Sequence, residues 1–283
     1  MREKPPHAAP ATTLHARLRV LYPTAKNQTL KEMVSAGRVR VNGKRAAKLS
    51  QPLNDNDDVR VDEKPRARAA RKPSLAPLLL VHEDDDVLVV NKPPGLLTST
   101  VPREKRLTAL AIVRQYVEAT APNARVGLIH RLDRDAGGLL VFSKSDRAYR
   151  SLKTQFFKHT VDREYEAVVK GSPSPKKGRI ESRLVEWGDG SVHSTKEHGK
   201  GERAVSEYEV IDVKNGLATL RVTLRTGRKH QIRVHLSERG WPIVGDVVYG
   251  AGEAGGLKLR AVRLAFDHPD TARRVAFDVR VPD

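Results

Sequence analysis

Hydrophobic positions along the chain fall into two blocks with different rhythms. In residues 12–62, "LHARLRVLY" and "TLKEMVSAG" read as two short helices, and Gly37 stands where the second would end. "RVRVNGKRA" and "DDVRVDE" follow as short strands, with Asn42-Gly43 as a hairpin turn signal. Together these predict a small N-terminal α/β unit. Residues 63–76, "EKPRARAARKPSLA", are rich in Pro, Ala and Arg without periodicity and read as a basic linker.

Residues 77–283 alternate strands and helices. "DDDVLVVNKPPG" is an apolar strand stopped by a Pro-Pro-Gly turn. "LTALAIVRQYVEA" places Leu107, Leu110, Val113 and Val117 at helical spacing. "SDRAYRSLKTQFFKHT" repeats that signal, with Ser145 as N-cap and Ala148, Leu152 and Phe156 at four-residue steps. "REYEAVVKG" and "LATLRVTLRTG" alternate as strands, which puts Tyr165, Ala167 and Val169 on one face. Strands outnumber helices and often follow one another directly. The expected class is therefore α+β with a mainly antiparallel, mixed sheet.

"GLIHRLDRDAGGLLVFS", residues 127–143, interrupts this pattern. Residues 126–129 and 139–142 read as two buried strands. Between them stand His130, Arg131, Asp133, Arg134 and Asp135, followed by Gly137-Gly138, which would let another backbone approach. Downstream, in "TGRKHQIRVHL", Thr226 and Gly227 would open a helix whose free amides, with Arg228 and Lys229, suit a phosphate. Ordinary capping with surface charge is the alternative.

Composition narrows the class. Hydrophobic residues make up 39% and charged residues 30%, as in a soluble globular protein. No apolar run approaches the roughly 18 residues of a spanning helix. "MREKPPHAAPATT" lacks the apolar core of a secretory signal. With no cysteine there are neither disulfides nor thiolate–zinc sites. His193, His198, His230 and His235 do not make a metal cluster, so no metal is expected. These features point to the cytoplasm, with a monomer as the default and no obligatory protein partner. The net charge is +18, and residues 1–75 hold 17 of the 52 Lys/Arg against 7 of the 34 Asp/Glu. Such a surface fits a polyanion, above all a nucleic acid, with a basic composition that merely keeps the protein soluble as the alternative.

Two resemblances follow from these residues. The helix pair with "SAGRVRVNG" and "VNGKRAAKLSQPLNDNDDVRV" resembles the small ribosomal-protein type of RNA-binding domain, the alpha-L motif. In that family the second helix and following hairpin meet RNA backbone, which here implies Lys31, Arg38, Arg40, Lys44 and Arg45. "HRLDRDAGGLLVFSKS" resembles the central motif of the RluA-type pseudouridine synthases. "VHEDDDVLVVNKPPGLL", "REYEAVVKG", "TGRKHQIRVHLSERGWPIVGD" and "LRAVRLAFDHP" match further family segments in the same order, covering about residues 78–283.

That resemblance implies an isomerase that needs no cofactor. The bond from uracil nitrogen to the anomeric carbon breaks, the base turns, and ring carbon five takes its place. The uridine must first leave its stack. Asp133 matches the catalytic aspartate, Arg233 the arginine paired with it, and Tyr165 the tyrosine that stacks on the base. Arg131 matches the arginine that fills the vacated stack, and Leu259 an aliphatic wall of the base pocket. His130 and Arg228 fall among the expected substrate contacts. Arg163 stands where the family pattern has lysine, Ala136-Gly137 where Thr-Ser is common, and "GLLTSTVPREKR" lacks a frequent His-Pro. Structured RNA is the implied partner, large-subunit ribosomal RNA first and transfer RNA second. A non-catalytic RNA-binding or ribosome-assembly factor that keeps the fold is the main alternative, and the intact set of Asp133, Tyr165 and Arg233 argues against it. A glycoside hydrolase would need a second carboxylate, and nothing marks Asp135 as one.

Overall fold

The computed structural model describes residues 12–62, 74–100, 106–121, 124–250, 252 and 255–279. They fall into two compact units, one within Met1–Lys72 and one within Pro73–Asp283. Most of the expected linker, and the segment lacking His-Pro at 101–105, lie outside the described residues.

In the first unit the order is β1 (Thr12–Thr13), α1 (Leu14–Leu21), α2 (Asn27–Ser35), β2 (Val39–Val41), β3 (Lys44–Arg45), β4 (Pro52–Leu53) and β5 (Val59–Val61). Leu14, Leu18, Leu30, Val34, Val39 and Val41 are buried together, so the apolar stripes of both helices close on the sheet. Gly37 lies just past α2 at φ 68°, the left-handed conformation that ends helices. Asn42 and Gly43 are both at positive φ, as a two-residue hairpin turn requires, and they join β2 to β3.

The second unit contains β6 (Leu79–Glu83), β7 (Val87–Lys92), α3 (Ala109–Thr120), β8 (Gly127–Leu128), β9 (Gly137–Ser143) and α4 (Asp146–Phe157). Then come β10 (Asp162–Lys170), β11 (Lys177–Glu186), β12 (Val192–Thr195), β13 (Glu202–Lys214), β14 (Leu217–Leu224), α5 (Gln231–Glu238), β15 (Leu259–Asp267) and β16 (Arg274–Asp278). Among the described residues they build one eleven-stranded sheet ordered β12-β11-β13-β14-β10-β15-β9-β7-β6, with β16 on β15 and β8 on β9. Every pairing is antiparallel except β15 with β9. The α+β, mainly antiparallel expectation therefore describes the molecule.

β7 and β9 read as near-continuous apolar runs because both of their faces are covered. Leu88, Val90, Leu140 and Phe142 pack with Ile112, Val113 and Val117 of α3. Val87, Val89, Leu139 and Val141 pack with Leu152 of α4 on the other face. The Gly137-Gly138 pair sits at the one parallel seam, where a Cβ on Gly138 would overlap the Ala261 backbone. The backbone approach expected there is that of β15.

Three local expectations need correction. Leu107 is outside α3 and 57% exposed; Thr108 caps that helix by accepting from the Ala111 amide, and the buried stripe begins at Ala109. Thr226 and Gly227 do not open α5. Thr226 Oγ1 accepts the Val205 amide and donates to Gln231 Oε1, and that amide oxygen also takes the Arg228 N–H. Residues 226–230 are thereby tied to β13 as a turn, and the helix starts only after His230. Leu75, placed in the linker by composition, is buried in the core.

Candidate active site

The loop from β8 to β9 carries the charged cluster, and its backbone is held from below. Thr98 Oγ1 donates to the Leu132 carbonyl at 2.7 Å and accepts the Leu132 amide at 3.2 Å. Lys92, fully buried at the end of β7, donates from Nζ to the carbonyls of Pro93, Leu96 and Arg134 at 2.8–3.0 Å. Burial lowers its pKa to about 8, against the charges of Asp135 and Asp133, which favour the cation. One ammonium thus fastens the Pro-Pro-Gly turn to the loop that presents Asp133.

Charges within the loop do not converge on Asp133. Arg134 makes a two-pronged bond to Asp135 at 2.9 Å, which lowers the Asp135 pKa. Arg131 is exposed at the cavity mouth and makes no ion pair among the described residues. The cation that does reach Asp133 is Arg233 on α5, whose Nη1 lies 3.2 Å from Oδ2. Its other edge is occupied. Nε and Nη2 each donate at 2.8 Å to the two oxygens of Asp246, a side chain 1% exposed. Burial works against charge on both partners. Their mutual hydrogen bonds outweigh it, so the Arg233 pKa is raised and the Asp246 pKa lowered.

Asp246 also accepts the Val248 and Tyr249 amides at 3.0 Å, which fixes the turn after α5. The Tyr249 ring lies 5.1 Å from the Arg233 guanidinium, and its hydroxyl accepts the Val192 amide at 2.8 Å. The same hydroxyl lies 2.8 Å from Nδ1 of His230, which is held at φ 53°. Arg233 therefore has a rigid setting on all sides but the one facing Asp133.

Of these groups Thr98, Arg131, Asp133, Arg134, Asp135, His230 and Arg233 line a cavity of about 1170 Å³. Tyr165 and Leu259 are buried at its wall, on adjacent β10 and β15, and both belong to the main core cluster. Burial raises the Tyr165 pKa, Arg163 opposes that, and Asp133 adds to it. His130 is another lining residue, but its Nε2 accepts the Val141 amide at 3.3 Å and its ring stacks on Phe156 at 4.7 Å. Burial, with Arg163 and Lys153 nearby, lowers its pKa to about 3, so this ring is neutral and anchors β9. Arg228 lies at the rim with Nη1 3.0 Å from Glu202, and Lys229 pairs with Glu186 at 2.6 Å. Phe157, at the end of α4, lines the cavity and is 84% exposed.

Asp133, Tyr165, Arg233, Arg131, His130, Arg228 and Leu259, scattered over more than a hundred residues, are thus gathered around one space. Reading the sequence missed Asp246, Lys92, Thr98 and Tyr249. Lys92 left a signal, a single lysine closing an apolar strand before Pro-Pro-Gly. Asp246 left only an acid after a short apolar run. Among the described residues no group of three His, Asp or Glu is placed to hold a metal ion. No helix there is long and apolar enough to cross a membrane.

The N-terminal unit presents its cations differently. Arg45, Arg40 and Arg60 stand side by side across β3-β2-β5, with Arg40 pairing Asp62 at 3.0 Å and Arg60 pairing Asp58 at 2.7 Å. Lys44 and Arg45 are exposed and line a shallow cleft with Lys48. Lys31 is exposed on α2, and Arg38 Nε donates to the Asp62 carbonyl at 3.2 Å.

Comparison with known proteins accounts for both units. Residues 86–238 match the RNA pseudouridylate synthase family, and residues 29–59 match the S4 domain. Ribosomal large subunit pseudouridine synthase D of Zymomonas mobilis is 32% identical over 277 residues, covering 90% of this chain and 86% of that protein. The Yersinia pestis protein of the same name is 34% identical over 242 residues, covering 84% and 72%. The solved structure of human RNA pseudouridylate synthase domain containing 4 superposes with a TM-score of 0.61 at 22% identity, covering 72% of this chain and 88% of that one. The charged loop, the arginine from α5 and the basic N-terminal unit find a common explanation: this chain belongs to the RNA pseudouridylate synthase family, enzymes that isomerise uridine in RNA, and carries an S4 domain ahead of the synthase fold.

Proposed function

We propose that Asp133 is the catalytic aspartate and that the cavity receives an extruded uridine of large-subunit ribosomal RNA. The observation carrying this reading is the single free edge of Arg233. With Nε and Nη2 held by Asp246, Nη1 has one direction left, and the Asp133 carboxylate stands there at 3.2 Å. An arginine fixed in that way sets the aim of the carboxylate toward the sugar.

The chemistry asks little else. The bond from N1 to the anomeric carbon breaks, the base rotates, C5 bonds to the same carbon, and the C5 proton leaves while N1 gains one. Asp133 serves this either by attacking the anomeric carbon or through a glycal-like intermediate. Tyr165 and Leu259 hold the loose base between an aromatic and an aliphatic wall. Arg131, exposed at the mouth, takes the place the base leaves in the RNA stack. Lys31, Arg38, Arg40, Lys44 and Arg45 engage RNA backbone from the N-terminal unit, with residues 63–76 as the link. Relatives named for the large ribosomal subunit support ribosomal RNA as substrate, ahead of transfer RNA. The enzyme acts as a cytoplasmic monomer without cofactor or protein partner.

Transcripts of large-subunit ribosomal RNA and of transfer RNAs, carrying tritium at uracil C5, test this directly. The native protein is expected to release label from the ribosomal transcript. Release from transfer RNA alone would move the substrate, and release from neither would remove the reading.

A further inference from the structure

Arg163 sits on β10 two residues before Tyr165 and on the same face, and it lines the catalytic cavity. It is 8% exposed, yet its guanidinium makes no hydrogen bond and no ion pair among the described residues, and its Nε is enclosed without a partner. Its neighbours explain how it fits but not what it binds. The Phe156 ring lies 5.5 Å from Cζ. Gly227 clears room for it, since a Cβ there would come within 2.5 Å of Nη1. Burial lowers its pKa, but a guanidinium stays charged at physiological pH.

A largely buried cation without a counter-ion is costly, and buried charges are ordinarily paired. The cavity's own carboxylates are already engaged. Asp133 is held by Arg233, Asp135 by Arg134, Glu186 by Lys229 and Glu202 by Arg228. The missing anion must come with the substrate, and the anion RNA carries is its phosphodiester. A planar fork receives two phosphate oxygens at once, which a lysine at this position would not do.

We propose that Arg163 is a phosphodiester seat inside the catalytic cavity, gripping the backbone of the extruded uridine. This rests on reading the cavity as the RNA site, and it is tested in a way that separates the two. Thermal melting of the full chain is followed with uridine, uridine 5′-monophosphate and uridine 3′-monophosphate at equal concentrations. At least one monophosphate raises the native melting temperature more than uridine does, and Arg163→Met abolishes the difference. Without ligand, Arg163→Met melts above the native protein, because an unpaired buried charge is gone. With the labelled ribosomal transcript the same variant raises KM at least about tenfold, with Arg163→Lys between the two.

A lower melting temperature for Arg163→Met would make the arginine structural and overturn the proposal. So would native protein that does not tell monophosphates from uridine, or a variant that still does. Native protein that releases no label from any transcript would sink the enzymatic reading alone, while the nucleotide measurement would still decide the phosphate seat.

Discussion

Arg233 and Arg40 each face an aspartate at hydrogen-bond distance, in two different units of one chain. In the synthase unit the side chains of Arg233 and Asp246 are 7% and 1% exposed and share two bonds of 2.8 Å. In the S4 unit Arg40 and Asp62 are 40% and 48% exposed and share one bond of 3.0 Å. The first pair has surrendered its water, so either partner alone would be a buried charge. The second keeps its water and contributes little to stability. Burial gives an arginine a fixed direction, and exposure leaves it free to meet a moving polyanion. On the proposed function, the buried arginine would serve the chemistry and the exposed one the capture of RNA.

That contrast can be broken most severely at the buried pair. Arg233→Met strands Asp246, and chemical denaturation should show a loss of roughly 4 kcal/mol, most of it recovered when Asp246→Asn is added. Recovery restores the fold but not label release. Next in size is Lys92→Met, which leaves the Pro93, Leu96 and Arg134 carbonyls without their shared donor. Denaturation should register a loss of roughly 3 kcal/mol, with kcat falling because the Asp133 loop loosens.

Buried His235 gives a pH test. Burial lowers its pKa to about 4, so between pH 6.5 and 4 the unfolded chain binds a proton that the native state refuses. Its contribution is complete above pH 6.5 and is lost as pH falls, by about 1.4 kcal/mol per unit. His235→Gln should flatten the stability profile across that window. The smallest effect belongs to the exposed pair. Arg40→Ala should change stability by less than about 0.5 kcal/mol, while the slope of log RNA affinity against log salt falls by roughly one unit. A large loss of stability there would erase the contrast between the units.

Legibility in the sequence followed the same divide. Strands β7 and β9 and helix α4 were plain because apolar runs and a capping serine are local signals. Asp133 stood out because charge is expensive between two buried strands. Its arginine partner lies a hundred residues away, and only the match of several family segments in order pointed to Arg233. Asp246 carries no signal of its own in the sequence, since nothing local says that a fold will bury it. Arg163 falls in step with its alternating strand, and its lack of a hydrogen bond or ion pair among the described residues is visible only in three dimensions. The start of α5 is hidden from the sequence for a related reason: Gln231 bonds back to Thr226 and Arg228, and that turn answers to β13 rather than to helix propensity.

Asp133→Asn is the most direct measurement of the central claim. It keeps the shape and volume of the side chain while removing the charge that Arg233 holds. At saturating labelled ribosomal RNA, single-turnover release should fall by more than about a thousandfold, as expected when a group central to the chemistry is lost. Filter binding of the same RNA should stay within about twofold. Release that survives the substitution, or RNA binding that disappears with it, would contradict the assignment of Asp133 to the chemistry.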